Sequence, residues 1–306
     1  MRKKLLSNIY FPVLAILIAS LFVVSCNNFE HEQEVPSFVN IKGFRMVENP
    51  NIIGSSYEGF QTSDIKDAWV YVDNEYIGTY PIGSKVPILK SGNHKIDIRP
   101  GVVLNGIALT RTEYPFYTFY SQKHDLVEGK EITIDTIDIM YKDNIVELSL
   151  MEMFEDSYIS FHTDGINADT NKIVKCNNPD TVKWGSFCGA MYLNSNEPAY
   201  RIISDSLYCA NKNALILEID YWCNIPFSIG ISGKPSSASQ TEYINAMTVN
   251  PNQNKGWTKM YVVLGKVWQQ LYQPNNFKIF FTPMKKEGVS NGWVYVDNIK
   301  IIHYPN

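Results

Sequence analysis

Short runs in which apolar and polar residues alternate fill the chain beyond residue 37. Val70 and Val72 flank Tyr71, and Trp293 and Tyr295 alternate with Val294 and Val296. Period two places successive side chains on opposite faces of a strand. The runs are separated by Asn, Gly, Asp and Pro, the punctuation of an all-β chain. In the first half the pattern predicts a strand through Val70 and Val72, a turn at Asp73-Asn74, and a return through Tyr76 and Ile77 that ends at Gly78. A third strand follows at 87–89, then a turn at Ser91-Gly92-Asn93 and a fourth strand over 94–98. In the second half strands are predicted over 145–150, 158–162, 186–193, 215–223, 227–232, 260–264, 277–281 and 293–302. That number suits a two-sheet jelly roll. No stretch after residue 30 holds helical periodicity beyond about two turns. The expectation is an all-β chain of two β-sandwich domains in tandem, residues 37–142 and 143–306, the C-terminal one jelly-roll-like.

One strand carries more information than the others. Leu215, Leu217, Ile219 and Tyr221 share one face, which reads as core. Ile216, Glu218, Asp220 and Trp222 share the other. A Trp beside two carboxylates is the mix a sugar site uses, a ring for the apolar sugar face and acceptors for its hydroxyls. The alternative is that Trp222 packs under a loop and the acids are solvated. Trp293 and Tyr295 alternate so that they can line the same open face, whereas Trp257 and Trp268 read as core or rim. The hexapeptide Trp-Val-Tyr-Val-Asp-Asn occurs at 69–74 and again at 293–298. Its flanks diverge, so it reads as two strands converging on similar residues.

The first residues have a different pattern. Met1-Arg2-Lys3-Lys4 precedes an apolar run from Phe11 to Val24 that closes on Val23-Val24-Ser25-Cys26. A basic start, an apolar middle and a small residue at the cut describe a secretory signal over 1–25. The Cys after Ser25 resembles the bacterial lipobox, which implies a diacylglycerol on the Cys26 thiol and palmitate-type acylation. A spanning helix needs about 20 apolar residues, and Asn8 and Pro12 argue against one here. Several acyl chains on one Cys hold durably, at roughly 0.8 kcal/mol per buried methylene. Residues 26–36 read as an acidic flexible tether with Glu30, Glu32 and Glu34 alternating. The segment also resembles the post-Cys acidic stretch of Bacteroidota surface lipoproteins, which implies an outer-membrane protein facing the cell surface.

Composition narrows the class. The chain is 45% apolar and 19% charged, with 19 Tyr and 15 Phe, which is globular. A formal charge of −4, or −7 once Arg2, Lys3 and Lys4 are removed, lacks the basic face a nucleic-acid partner requires. Cys176, Cys188, Cys209 and Cys223 lack CxxC spacing and a nearby His, so zinc is not indicated. They allow three pairings, or four buried thiols. His94 and His124 have no second ligand at metal spacing and read as strand residues. No Gly-x-Ser-x-Gly elbow or phosphate loop occurs. Glu218 and Asp220 sit only about 7 Å apart on one strand, unlike glycosidase acids facing each other across a cleft. The chain reads as non-enzymatic.

Residues 67–100 resemble the PEGA-type repeat of envelope proteins in their Val-Tyr-Val-Asp turn, Gly-Thr-x-Pro step and Gly-x-His, with Asn74 in place of the usual turn Gly. The resemblance implies a β-sandwich for envelope architecture. The segments 214–222, 256–264 and 292–301 resemble jelly-roll carbohydrate-binding modules, which implies glycan binding through Trp222, Glu218, Asp220, Trp293 and Tyr295. In such jelly rolls an Asp at the position of Asp297 helps bind structural Ca²⁺, which takes six to eight oxygens. Two functions remain open: a surface lipoprotein binding polysaccharide, or a structural envelope lipoprotein meeting other proteins. Mass spectrometry of the native protein should find a chain beginning at an acylated Cys26; an intact leader with an unmodified thiol would remove the anchored picture.

Overall fold

The computed structural model describes residues 34–51, 58–165, 171–194, 196, 199–209, 214–235, 240–271 and 276–305. The signal segment, Cys26 and the tether up to residue 33 lie outside them. The first part holds β1 (Ser37–Ile41), β2 (Phe44–Met46), β3 (Asp67–Val72), β4 (Glu75–Pro81), β5 (Lys85–Ile88), β6 (Gly92–Val103), β7 (Arg111–Glu113), β8 (Tyr120–Leu126), β9 (Glu131–Ile134) and β10 (Ile137–Ile139). A five-stranded sheet runs β4-β3-β6-β7, with β8 also on β6. A second sheet runs β5-β1-β9, and β10 pairs with β2 in parallel. Alternate residues of the two sheets, among them Val39, Val86, Val70, Val72, Ile96 and Ile98, share one buried core.

The second part holds β11 (Glu147–Glu152), β12 (Phe161–Thr163), β13 (Ile173–Cys176), β14 (Cys188–Asn194), β15 (Ile202–Ser204), β16 (Leu207–Tyr208), β17 (Ile216–Cys223), β18 (Phe227–Gly233), β19 (Glu242–Val249), β20 (Thr258–Val263), a helix α1 (Gly265–Gln270), β21 (Asn276–Pro283) and β22 (Asn291–His303). One six-stranded sheet runs β13-β14-β22-β17-β20 with β11 on β22. The other runs β12-β15-β21-β18-β19 with β16 on β21. Leu215, Leu217, Ile219 and Tyr221 face the core between them, as their alternation predicts. Seven of the eight predicted strands form over most of their predicted length, while 158–162 forms only at its end, where β12 runs from Phe161 to Thr163. Trp268 on α1 is fully buried in that core.

Two local expectations change. The hairpin does not end at Gly78: β4 continues to Pro81, which pairs with Asp67, and the ladder carries a register shift between Val70 and Tyr71. The repeated hexapeptide does share a conformational device. Asp73 and Asn74 turn the hairpin with φ of 51° and 69°, and Asn298 takes φ 48° inside β22. Asn is one of the few residues that enters the left-handed region readily. In the second copy it makes a bulge instead of a turn. Glu218 pairs with Lys300 and Asp220 with Asp297, so β22 spends one residue more than β17.

A tandem description leaves out the seam between the parts. The core of the first part also takes in Ile216, Tyr261 and Ile302 from the outer face of the β17–β22–β20 sheet. Leu104 bridges to Tyr261, and Asn105 receives the backbone N–H of Val263 on its Oδ1 at 2.9 Å. At the centre lies Glu218, fully buried and 2.9 Å from the Lys259 ammonium. Tyr114 donates to its Oε1 at 2.6 Å and Tyr141 to its Oε2 at 3.0 Å. Tyr114 and Tyr117 come from the aromatic cluster at 114–117, and their rings lie 4.4 Å apart. Burial alone would push Glu218 up, but Lys259 and Lys300 outweigh it and hold it below the ordinary range. Glu218→Ala would leave Lys259 and two tyrosine hydroxyls without their acceptor. It should cost about 3–5 kcal/mol, read as a lower urea midpoint. A loss below about 1 kcal/mol would show that the seam contributes little.

Candidate functional site

The outer face of the β14–β22–β17–β20 sheet divides into bands because its side chains keep period two. Trp222, Asp220, Glu218 and Ile216 follow one another on β17. Across β22 stand Tyr295, Asp297, Lys300 and Ile302, the bulge at Asn298 having shifted the parity. The apolar end merges into the core of the first part. The charged middle lies under it. The aromatic end extends beyond it.

At that end Tyr192 pairs in register with Trp293, Ala190 with Tyr295, and Tyr295 with Trp222. The rings make one continuous cluster. Trp293 stacks on Tyr295 at 4.8 Å between centroids, and Trp222 meets Trp293 edge-on at 5.0 Å. Tyr192 meets Tyr295 at 6.2 Å and is 46% exposed. Trp222, Trp293 and Tyr295 are half-buried. Trp222 donates its indole N–H to the Gln253 carbonyl at 3.1 Å, which fixes the ring's tilt. Asn224 accepts the Trp293 backbone N–H at 2.6 Å and anchors the strand beside it. Tyr192 was absent from the sequence-derived site. Its alternation in β14 was visible, but its partner strand was not.

The acids expected beside Trp222 do not join it. Glu218 is engaged with Lys259, Tyr114 and Tyr141, and Asp220 is 1% exposed. Asp220 accepts from Thr62 at 2.7 Å and from Asn298 at 3.0 Å, with Lys259 at 3.8 Å. They share the predicted face, but the first part covers that stretch, so neither is a sugar acceptor. The expectation for Glu218 and Asp220 is corrected accordingly.

Asp297, the residue expected to help hold Ca²⁺, lies inside the sheet seam. It is fully buried, with Oδ1 accepting the Asn298 N–H at 2.7 Å and Oδ2 unpartnered. Neighbouring acids are turned to other tasks. Glu152 accepts the N–H groups of Phe154 and Ser160, and Glu155 those of Ser186 and Phe187. Among the described residues no three His, Cys, Asp or Glu converge as a metal site.

The cysteines and histidines resolve into structural places. Cys176 stands opposite Cys188 in the β13–β14 register, and Cys209 and Cys223 are buried in the core. All four are thiols. Burial raises the Cys188 thiol, with Cys176 beside it adding to the shift. His94 flanks its turn, with Nδ1 2.6 Å from Asp73.

No family model and no curated protein matches the sequence. The PEGA-type and Bacteroidota lipoprotein resemblances draw no support from them. Solved structures give distant likenesses. A carbohydrate-binding module of the β-sandwich superfamily shares 15% identity over 78% of this chain and 85% of its own, with a TM-score of 0.35. A family 11 carbohydrate-binding module from Clostridium thermocellum, in complex with a β-1,3-1,4-mixed-linked tetrasaccharide, shares 13% over 52% of this chain and 96% of its own, at 0.37. The K3 cleaved adhesin domain of Lys-gingipain from Porphyromonas gingivalis w83 shares 13% over 51% and 98%, at 0.34. At these scores the likenesses carry no inference, and the all-β, multi-sheet architecture rests on the strands described above.

Burial pushes the Asp297 carboxyl up to about 8, with Asp220, Glu155 and Glu152 adding to the rise. The folded chain therefore keeps this proton after the unfolded chain has lost it near 3.8. More protons bound when folded means that stability from this group falls as pH rises, between about 4 and 8. Asp297→Asn removes the titration. Its melting temperature relative to the parent should climb from pH 5 to pH 9, by about 2–4 °C per kcal/mol regained. A pH-independent difference would contradict the assignment.

Proposed function

We propose that this protein is a non-catalytic binding protein that holds polysaccharide on the ring cluster of Trp222, Trp293, Tyr295 and Tyr192. The observation that carries the reading is where that cluster lies. The first part covers the sheet face at Ile216, Glu218, Asp220, Tyr261, Lys300 and Ile302, and leaves it partly open at Trp222, Trp293, Tyr295 and Tyr192. Half-exposed rings on a rigid sheet offer apolar area at low entropic cost, which is what stacking on a sugar ring demands. β14, β22 and β17 fix the rings through their registers, so the cluster needs no rearrangement to bind.

The lipobox-like Val23-Val24-Ser25-Cys26 supports a location to match: a lipid anchor on Cys26 in the outer membrane, with the binding face outward. The buried acid–lysine–tyrosine cluster supports a non-enzymatic role. Glu218, Asp220, Lys259 and Lys300 are each nine-tenths or more buried, and Glu218, Lys259 and Lys300 meet one another and the tyrosines instead of open solvent. A second reading, attachment to another envelope protein, draws on Leu109 and Ile107, 95% and 51% exposed on the loop after β6. Single exposed apolar residues are common on folded surfaces, so this reading stands second.

A glycan array or affinity electrophoresis on the full chain in detergent separates the two. Binding to a polysaccharide should weaken roughly tenfold or more in Trp222→Ala, a change of about 1.4 kcal/mol. Leu109→Ser should leave it unchanged. No polysaccharide bound by the parent chain would favour the protein-partner reading.

A further inference from the structure

A second concavity lies where the first part meets the edge of the β17–β20 strands. It encloses about 890 Å³, within the roughly 300–1,000 Å³ range of ligand pockets. One wall carries Trp184 and Trp257, with ring centroids 5.6 Å apart and planes at 70°. The Trp257 indole donates to the Thr181 carbonyl at 2.7 Å, so its ring is held in place with part of its surface open. The opposite wall carries Gln61. Its Nε2 donates to the Gly59 carbonyl at 3.1 Å, and its Oε1 is buried with no hydrogen-bond partner.

The charge of this cleft runs against that of the protein. Its lining has five cationic side chains, Arg45, Lys66, Lys183, Lys255 and Lys259, and two acidic ones, Asp64 and Asp220. The whole chain carries −4. Lys66 is engaged by Asp64 at 2.5 Å, Arg45 by Asp138 at 2.7 Å and Lys259 by Glu218 at 2.9 Å. Lys183 and Lys255 are exposed, and among the described residues neither is paired with a carboxylate. Lys183 lies 4.6 Å from the Trp184 ring centroid, so charge and aromatic surface are presented together.

We propose that this cleft is a separate binding site for an acidic oligosaccharide, a uronic-acid chain whose carboxylates meet Lys183 and Lys255 and whose sugar face lies against Trp184 and Trp257. The rings supply apolar contact, and the lysines select for negative charge. The site shares no ring with the cluster around Trp222, which is built from Trp222, Trp293, Tyr295 and Tyr192.

Isothermal titration of the full chain in detergent tests it, with oligogalacturonate as the probe and a neutral oligogalactoside of equal length as comparator. Oligogalacturonate should bind, and the neutral sugar should bind at least about fivefold more weakly. The double variant Lys183→Gln with Lys255→Gln should weaken the acidic probe by about fivefold or more, the scale of two solvent-facing charge contacts. Added salt should weaken it in the parent and much less in the double variant. The double variant should keep the parent's binding of any neutral polysaccharide held on the ring cluster, so that failure of the ring cluster and failure of the cleft are told apart. No binding of oligogalacturonate to the parent, equal binding of the neutral sugar, or full affinity in the double variant would each overturn the proposal.

Discussion

The buried pair of Glu218 and Lys259 is the contact on which the arrangement of the two parts depends. Taking a carboxylate and an ammonium out of water costs several kcal/mol per ion, and their attraction offsets this only when the remaining hydrogen-bond sites are filled. Here they are filled from distant stretches of chain. Tyr114 arrives from the segment after β7, Tyr141 from the segment after β10, and Thr62 reaches Lys259 at 3.1 Å from the segment before β3. The set closes only when the first part sits on the sheet in one orientation. An apolar pair of equal volume would bury similar area, but would not tie these segments to one geometry.

The bulge at Asn298 makes that closure possible. Without it, Trp293, Tyr295 and Asp297 would be followed on the same face by Ile299 and Ile301. With it, Ile299 and Ile301 stay in the core of the second part while Lys300 and Ile302 turn outward. Asn298 also donates to the Phe60 carbonyl at 3.0 Å and to Thr62 at 2.7 Å. One residue in left-handed backbone thus changes the parity of a strand and binds the segment that covers it. Gly59 packs against this point, where an added Cβ would lie 2.8 Å from the Asn298 side-chain oxygen.

Much of this was legible in the sequence. Strong alternation gave all the long buried strands of the second part, and the core face of β17 was read correctly because period two is local. β13, β15, β16 and β19 were missed. β19, Glu242–Val249, is mostly exposed or half-buried and carries no clear alternation. β15 and β16 are three and two residues long, too short to show a period. The seam was illegible for another reason. Alternation says which residues share a face, but not what covers that face. Glu218 and Trp222 look equivalent in sequence and differ only in what lies above them. Trp257 and Lys183 are likewise brought together by a fold that their separation in sequence does not announce.

Charge accounting links the seam to the surfaces beside it. Burial and the Lys259 charge lower Lys300 to about 8, so at neutral pH it is still largely protonated. Asp297, raised to about 8, keeps its proton there. The Lys259 and Lys300 ammoniums both act on Glu218 and hold its carboxyl below the ordinary range against the cost of burial. Trp222 lies only about 7 Å along the same strand from Asp220. One strand thus borders two surfaces of different character, an uncharged aromatic one and a cationic one, with the buried seam between them.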